Sequence, residues 1–594
     1  MNSTPILLHF NEPSANDIRL RRLAESLGLT CNTLDISRLR GDLDRATDYS
    51  LCILTSAKTL FDWCDYEGPN HRASVGLLRQ KTRFLFVYGC APNRKSRSIA
   101  STLTDGEISD VRQIEELDLN YRVTSCHPEL VREFSGLSFG PIRKQIDFGF
   151  ICSPASVRSL ISIGSLPFWA LFATGGCRAF LLACDEIVDI KEKTEGSLDV
   201  VKYFSRLLPA AMFLKWALPN RCWRSQHRFA NFIIDDPLLK KSYGHLNYKD
   251  LLGRMDRSNF ATTIAFIPWN YKRTEKATAQ LFRDRPDRLS LCIHGCDHSN
   301  AEFATHDLAD LNRRLQLASN RMNAHRANTG LPHSSVMVFP QGRFSREALK
   351  ALKCNNYLAA VNSCATAASS GMEQEFSVSD FLELAITKFG GYPLYLRRYP
   401  GSLEQFAFDL FFGKPLLVVE HQAYFKDRYK RLIEFVARLN AFGLEWKGLN
   451  EVLQKSYLER ETSDQATACK LYTNSTVIEN HSDRDRLFTI TKAHSDVVPV
   501  DRILLNDKTA DFTVTDRTME FSVTIPRHAS VRVDVAYKNI LPVPKPQRTF
   551  TTAGRVWTRR MLSEFRDNFL CRSELMQTTA RAMNKRFPGQ RPSI

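Results

Sequence analysis

The sequence predicts a multidomain α/β protein with an N-terminal doubly wound region, a central distorted (β/α) barrel of seven or eight units, a small antiparallel β-sandwich and a basic helical tail. Three observations support this. Short apolar strands alternate with helical patterns over residues 1–195 and again over 225–460, as in parallel sheets. Residues 480–540 alternate apolar and polar side chains with period two, as antiparallel strands do. At 594 residues, the chain is too long for one hydrophobic core.

The first region opens with the strand PILLHF and the helical pattern ANDIRLRRLAESLG, which a glycine ends. The runs YSLCILTSA, RFLFVYGC, QIDFGFICS, PFWALFATGG and AFLLACDEI continue this style. We predict a Rossmann-like or flavodoxin-like domain, with a degenerate amidotransferase-like domain as the alternative. Phosphate-binding glycine loops are absent, so nucleotide binding has no support. Cys90 lacks the G-x-C-x-G spacing of a nucleophile elbow, and we expect a buried thiol there.

In residues 225–460, the predicted strands end in polar side chains. FANFII is followed by Asp235-Asp236, LSLCI by His294, and PLLVVE by His421. In (β/α) barrels, chemistry gathers at the carboxyl ends of the strands, so these groups are expected to meet. Helices are predicted at 247–257, 274–283, 305–328, 345–353 and 426–441.

Asp235, Asp236, His294 and His298 are residue types that bind divalent metals. Two adjacent acids at a strand end are costly unless a positive charge lies close to them, and a metal supplies that charge. His294 and His298 are four residues apart and can converge on one ion if a helix begins where their strand ends. With one carboxylate, they form the three-ligand set of a site with an open position. Cys296 is a weaker candidate for a fourth ligand.

The motifs FIIDDP, IHGCDH, FPQGRFS and LLVVEH occur in the order and roughly the spacing of the polysaccharide deacetylase family, which the chain resembles over about residues 225–460. This resemblance implies a metal-dependent barrel in which Asp236, His294 and His298 bind the ion. It makes Asp235 the general base and His421 the general acid. Zinc is the expected metal, with cobalt, manganese, nickel and iron as alternatives.

The expected substrate cleft adds residues that follow other strands of the barrel. Backbone N–H groups near Gln341-Gly342 are placed to hold an oxyanion. The loop FPQGR departs from the family order Arg-x-Pro-Tyr/Phe, and Arg343, Arg397 or Arg398 is expected to supply the missing arginine. The predicted substrate-binding residues are Trp269, Asn270, Pro340, Gln341, Gly342, Arg343 and Arg397.

The distribution of charge along the chain indicates which partners the C-terminal tail can meet. The net charge is +17, and residues 541–594 hold eleven Lys and Arg against three Asp and Glu. Aromatic and apolar residues of this tail, Trp557, Met561, Phe565 and Phe569, recur every four positions. The tail is therefore expected either to pack against the body or to lie on an anionic membrane surface. No nucleic-acid motif is present, and nucleic acid is not expected as a partner.

Fifteen cysteines without C-x-x-C pairs, and an N-terminus without a signal peptide, predict a cytoplasmic protein, with peripheral binding to the inner membrane as a variant of this prediction. In that compartment, a deacetylase would meet saccharide precursors or lipid-linked glycans. We therefore predict a metal-dependent hydrolase that removes an N- or O-acyl group from a carbohydrate during biosynthesis or modification of a surface polysaccharide.

Two other functions fit parts of the sequence. A glycoside hydrolase on a related barrel would use Asp235 and another carboxylate without a metal, and metal analysis would distinguish it. A catalytically silent barrel would act as a scaffold in a polysaccharide-biosynthesis assembly. An intact set of Asp236, His294 and His298 disfavours this second alternative.

Overall fold

The computed structural model describes residues 4–38, 51–68, 71–114, 120–141, 148–153, 156–174, 176–368, 375–495, 498–515, 517–542 and 550–569. The N-terminal part is built on a nine-stranded sheet with the order β2-β1-β3-β4-β11-β10-β9-β6-β7. Its elements are β1 (Ile6–His9), α1 (Ala15–Ser26), β2 (Asn32–Asp35), β3 (Leu51–Ser56), α2 (Ala57–Glu67), α3 (His71–Lys81), β4 (Thr82–Tyr88), α4 (Arg94–Leu103), β5 (Ile108–Gln113), β6 (Tyr121–Val123), α5 (Pro128–Val131), β7 (Ser138–Phe139), β8 (Phe148–Cys152), β9 (Arg158–Ile163), β10 (Leu166–Thr174), β11 (Cys177–Leu182), β12 (Lys193–Thr194) and α6 (Val200–Ala217).

Only half of this sheet is parallel, which corrects the predicted doubly wound pattern. Strands β2, β1, β3, β4 and β11 pair in parallel, whereas β10, β9, β6 and β7 pair antiparallel. Two residues separate β9 from β10, and two separate β10 from β11. Such connections close hairpins and are too short for the crossover helix that parallel pairing requires.

Cys90 follows β4 and is fully buried, as expected. Burial raises the pKa of its thiol to about 12, so the side chain stays a neutral core group. All fourteen cysteines in the described part of the chain are free thiols.

The central part is a parallel sheet of seven main strands that curls into a barrel, as predicted. The strand order is β21-β19-β18-β17-β16-β13-β22, and the short β23 pairs with the start of β13. Its elements are β13 (Phe229–Asp235), β14 (Ser242–Tyr243), β15 (Leu246–Asn247), α7 (Tyr248–Ser258), β16 (Thr262–Phe266), α8 (Lys276–Asp284), β17 (Leu289–His294), α9 (Leu308–Thr329), β18 (Val336–Val338), α10 (Arg346–Cys354), β19 (Ala359–Asn362), β20 (Phe376–Ser377), β21 (Leu394–Leu396), α11 (Leu403–Phe411), β22 (Leu416–His421), α12 (Lys430–Asn440), β23 (Glu445–Trp446) and α13 (Leu449–Gln454).

The barrel closes just beyond β21. The Arg398 N–H donates to the Leu417 carbonyl at 2.8 Å, and the Val419 N–H donates to the Arg398 carbonyl at 2.9 Å. These two bonds join the first and last strands of the order, β21 and β22. All seven strands therefore end on one face, where Asp235, His294 and His421 lie.

The C-terminal part consists of two sheets, with strand orders β24-β25-β27-β31-β30 and β26-β32-β28-β29. It begins at Leu458, whereas the sequence placed its start near residue 480, because β24 to β26 follow the barrel directly. Its elements are β24 (Leu458–Glu461), β25 (Ala466–Leu471), β26 (Ser475–Glu479), β27 (Arg486–Ala493), β28 (Val500–Leu505), β29 (Lys508–Ala510), β30 (Thr513–Val514), β31 (Thr518–Ile525), β32 (Ser530–Tyr537) and the tail helix α14 (Phe550–Asn568). Within the described residues, no helix has the length and hydropathy needed to cross a bilayer.

Candidate active site

The backbone at the end of β13 sets the direction of both acidic side chains, Asp235 and Asp236. Neighbouring side chains of a regular strand face opposite sides. The strand ends at Asp235, and Asp236 has a φ of 79°, in the left-handed region that aspartate tolerates better than most residues. This turn lets both carboxylates face the mouth of the barrel.

The Asp236 carboxylate meets two imidazoles. Its Oδ1 lies 3.3 Å from Nε2 of His294 and 3.0 Å from Nε2 of His298. The three ligand atoms lie within 4.8 Å of one another, and the group is largely buried. Burial raises the pKa of Asp236, but the His298 and His294 charges outweigh it and hold the pKa well below its usual range. The three residues predicted as metal ligands are therefore brought together.

The two histidines converge through a loop and not through a helix, which corrects the expected geometry. The loop turns at Gly295 and His298, whose φ angles are 63° and 55°, and the next α-helix begins only at Leu308. A Cβ at Gly295 would lie 2.4 Å from Cγ of Pro340, so only glycine fits there. The left-handed turns reverse the chain and return His298 to the end of its own strand.

Glu302 holds this loop in place, and the sequence analysis missed it. Its carboxylate is buried and accepts backbone N–H groups from Cys296, Asp297 and Ser299 at 2.6, 3.2 and 2.7 Å. These bonds surround His298. An acid four residues after the second histidine is the only sequence signal, and it does not distinguish an anchor from a surface residue.

Replacing Glu302 by alanine is expected to leave three backbone donors unpaired and to loosen His298. We expect the free energy of unfolding to fall by about 2–3 kcal/mol, and metal affinity to fall by about 10- to 100-fold. Urea denaturation and a zinc titration measure both. Glu347→Ala is the control, since Glu347 is a surface acid that contacts His306 at 2.7 Å. Wild-type metal affinity in Glu302→Ala would show that the loop does not depend on this anchor.

The chemistry of the three clustered atoms fits a metal ion. His294 Nδ1 lies 3.0 Å from the Val338 carbonyl, which can only accept, so this nitrogen carries the proton. Nε2 is directed at Asp236, and it offers a lone pair when the ring is neutral, which is the form that binds a metal. Within the described residues, Oδ1 of Asp236 is buried and makes no well-aligned hydrogen bond, although the two Nε2 atoms lie 3.0 and 3.3 Å away. A cation placed among these acceptors would satisfy all of them.

Asp235 is paired with Arg397, which directly follows β21. Nη1 and Nη2 of Arg397 donate to Oδ1 and Oδ2 of Asp235 at 2.7 and 2.6 Å, and each side chain is only 4% exposed. Burial raises the pKa of Asp235, but the arginine charge and hydrogen bonds outweigh it and hold the pKa below its usual value. Of the three candidate arginines, Arg397 therefore contacts the acid, while Arg398 pairs with Asp409.

His421 lies beside this pair. It is in register with Asp235 on the adjacent strand, and its positive form lowers the pKa of that carboxyl. Its ring is nearly parallel to that of Tyr399, with centroids 6.5 Å apart. A cavity of about 230 Å³ adjoins Tyr399 and is lined by Ser363, Arg397, Arg398, Tyr399, Ser402, Gln405 and Phe406. Tyr399 is 52% exposed and was missed by the sequence analysis.

Most residues predicted to bind substrate make structural contacts around the barrel mouth. Asn270 is fully buried, and its Oδ1 accepts from Arg273 at 3.3 Å, because the loop after β16 folds inward. The Arg273 guanidinium also covers the ring of Trp269, at 5.4 Å from the centroid. Both residues therefore support the barrel mouth.

The residues after β18 lie beside the histidine loop. Pro340 is buried against Gly295, and Gln341 accepts the Ala301 N–H at 3.1 Å, so both brace the histidine loop. Gly342 is half-buried and Arg343 is exposed, and neither lines the cavity beside Tyr399. Arg397 lines that cavity, but its guanidinium is already engaged by Asp235, so it positions the acid.

The tail helix α14 packs at the mouth of the barrel. Asp567 accepts a hydrogen bond from the Tyr243 hydroxyl at 2.8 Å, and Asn568 accepts the Gly244 N–H at 2.9 Å. Glu564 accepts from Arg273 at 2.8 Å. Burial raises the pKa of Tyr243, and the Asp567 and Asp236 charges raise it further. The helix is thus part of the site's surroundings.

Comparison with known proteins returns structures only, since no family model and no curated protein matches the chain. The Xyl-CE4 domain of a multidomain xylanase from the hindgut metagenome of Trinervitermes trinervoides is 11% identical over 39% of this chain and 91% of that chain, with a TM-score of 0.25. A family 4 acetyl xylan esterase from Clostridium thermocellum in complex with a cobalt ion is 11% identical over 38% and 90%, also at 0.25. A CE4 family pseudoenzyme from Bacillus anthracis is 12% identical over 39% and 67%, at 0.24.

These structures are of the same esterase type as the family that the four motifs resemble. At TM-scores near 0.25 they carry no conclusion about this chain.

Proposed function

We propose that the protein is a metal-dependent hydrolase that removes an acetyl group from a carbohydrate. The convergence of Asp236 Oδ1 with the Nε2 atoms of His294 and His298 carries this proposal. A divalent ion held by these three residues would polarise an acyl carbonyl and lower the pKa of a bound water. Zinc is the metal best suited to two imidazoles and one carboxylate.

The other residues of the site have complementary roles. Asp235 is ionised and held in one orientation by Arg397, ready to accept the proton of the attacking water. His421, on the adjacent strand, is placed to donate a proton to the departing amine or alcohol. Tyr399, exposed beside His421, offers a face on which a sugar ring can stack.

The glycosidase alternative fits the geometry less well. An inverting or retaining glycosidase needs one carboxylic acid that stays protonated near neutral pH. Asp235 is bound to an arginine, which lowers its pKa, so it is poorly suited to be that acid. Asp236 lies between two imidazoles, which lowers its pKa further.

Acetate release from a panel of acetylated saccharides tests the proposed activity. Protein stripped with a chelator is expected to lose activity by at least about 100-fold and to regain it on addition of zinc or cobalt. A chitooligosaccharide, an acetylated xylan fragment and a short peptidoglycan fragment cover amide and ester substrates. Activity that survives complete metal removal would contradict the proposal, and metal binding without acetate release from any substrate would favour the silent scaffold.

We further propose that the substrate is met at an anionic membrane surface, through α14. The helix presents its polar face to the barrel, where Arg560 and Asp567 are 2% and 6% exposed. Its apolar face points outward. The exposed residues on this face are Trp557, Leu562, Phe565 and Phe569, which are 52–65% exposed. Such a face flanked by arginine suits the headgroup region of a bilayer.

The position of α14 supports this interpretation. Because the helix packs at the barrel mouth through Tyr243 and Arg273, a membrane bound to its outer face would lie next to the active site. Arg555 and Arg566 are exposed on the same helix and would meet anionic headgroups. A lipid-linked glycan would reach the site without leaving the surface.

Vesicle co-sedimentation tests the membrane proposal. The full chain is expected to bind vesicles of phosphatidylcholine with 30% phosphatidylglycerol, and the triple variant Trp557→Ser, Phe565→Ser, Phe569→Ser is expected to bind at least about tenfold more weakly, because three large apolar side chains are lost. Tyr66→Ser, at a tyrosine 70% exposed in the N-terminal part, is the control. Equal sedimentation of the triple variant and the wild type would contradict the membrane proposal.

A further inference from the structure

A second cluster of metal-binding side chains lies at the opposite end of the barrel. His227 precedes β13, Glu479 ends β26, and His481 follows two residues later. Oε2 of Glu479 lies 3.1 Å from Nε2 of His227 and 3.3 Å from Nε2 of His481. These atoms lie within 4.8 Å of one another, as in the central site.

The surrounding residues orient the three side chains toward a common point. Lys455 contacts the other carboxylate oxygen, Oε1 of Glu479, at 2.8 Å, which leaves Oε2 directed at the imidazoles. The ring of His227 stacks on Phe229 with centroids 4.4 Å apart, and Nδ1 of His227 faces Glu445 at 3.9 Å. A carboxylate near the second ring nitrogen of a histidine is the usual environment of a metal-binding imidazole.

The cluster also has the exposure that an exchangeable ion needs. The side chain of His227 is 13% exposed, that of Glu479 is 21% exposed and that of His481 is 52% exposed. An ion could therefore enter from the His481 side and keep a coordination position open to water. Two imidazoles and one carboxylate favour zinc or a neighbouring transition metal over calcium or magnesium.

We propose that His227, Glu479 and His481 form a second transition-metal site, separate from the catalytic one. The site joins the barrel to the β-sandwich, because His227 leads into the strand that ends in Asp235, whereas Glu479 and His481 belong to the sandwich. The bound ion is a cross-link that stabilises the folded chain, since the unfolded chain does not bring the three ligands together.

Zinc stoichiometry of the full-length chain tests this proposal. Protein stripped with a chelator is titrated with zinc against a chromogenic competitor. The wild type is expected to bind two ions, Asp236→Asn one, and Asp236→Asn with His481→Ala none. Zinc is also expected to raise the midpoint of thermal unfolding of Asp236→Asn and to leave that of the double variant unchanged.

His528→Ala is the matched control, because His528 is a surface histidine of the same sandwich that contacts Asp483 at 3.1 Å. It should bind two ions. Unchanged stoichiometry in His481→Ala would overturn the second site. In that case, a loss of acetate release on metal removal would still support the proposed catalytic function. A third outcome is that the wild type binds one ion and that His481→Ala binds none. This would support the second site and show that the proposed catalytic site holds no metal.

Discussion

Replacing Asp236 by asparagine is expected to reduce acetate release by at least about 1,000-fold and to remove one equivalent of metal. The carboxylate is the only anionic group among the three clustered ligands, and its Oδ1 contacts both imidazoles. Without it, the positive charge needed to stabilise the developing oxyanion is not held, and a loss of several kcal/mol in transition-state stabilisation follows. Acetate release and metal content of the same preparation measure both effects.

Asparagine is chosen because the backbone at this position has a φ of 79°. Asparagine tolerates this left-handed conformation, so the variant keeps the turn after β13. Asp256→Asn is the control, as its carboxylate pairs on the surface with Arg285 and its side chain is 43% exposed. A folded Asp236→Asn protein that releases acetate at the wild-type rate would contradict the role of Asp236 as a ligand of the catalytic metal.

Replacing Arg397 by methionine is expected to destabilise the protein by about 3–5 kcal/mol near neutral pH. The substitution leaves the Asp235 carboxylate buried without its charged partner. The double variant Asp235→Leu, Arg397→Met is expected to recover most of this loss, because no uncompensated charge remains. Urea denaturation measures all three proteins. Arg285→Met, which disrupts an exposed pair, should cost no more than about 1 kcal/mol.

The destabilisation should depend on pH. In the wild type, the pKa of Asp235 is lowered, so this carboxylate contributes stability above its unfolded pKa of about 3.9 and loses it as the pH falls. In Arg397→Met, burial is no longer opposed by the arginine, and the pKa rises. The stability difference between the two proteins should therefore shrink as the pH falls below the raised pKa of the variant, and shrink further below about pH 4, where the wild-type carboxylate is protonated. A difference that stays constant from pH 7 to pH 3 would show that the charge pair is not its cause.

The sequence predicted five barrel helices closely, and it did not predict α11 and α13. A helix was predicted over 247–257, and the structure has one at Tyr248–Ser258. Another was predicted over 305–328, and the structure has one at Leu308–Thr329. Periodicity was less informative in the N-terminal part. A buried strand is a continuous apolar run whether it pairs in parallel or antiparallel. The two-residue gaps on either side of β10 are typical of hairpins, and the predicted parallel pattern did not take them into account.

For the candidate site, the sequence identified the residue types, and the tertiary structure decided their partners. Local order along the chain was enough to place Asp235, Asp236, His294 and His421 at strand ends. Arg397 is 162 residues from Asp235, and the sequence left three arginines open because only closure of the barrel brings one of them to the acid. Glu302 and Tyr399 lie in loops whose position depends on packing across the barrel.

What the sequence determined by itself is the alternation of strands and helices and the set of polar groups at the mouth, since both depend on residues near one another in the chain. The folded structure decided which arginine holds Asp235, how a loop without helix returns His298 to Asp236, and which face of α14 points outward. Each of these depends on contacts between segments far apart in sequence, and such contacts leave no local pattern.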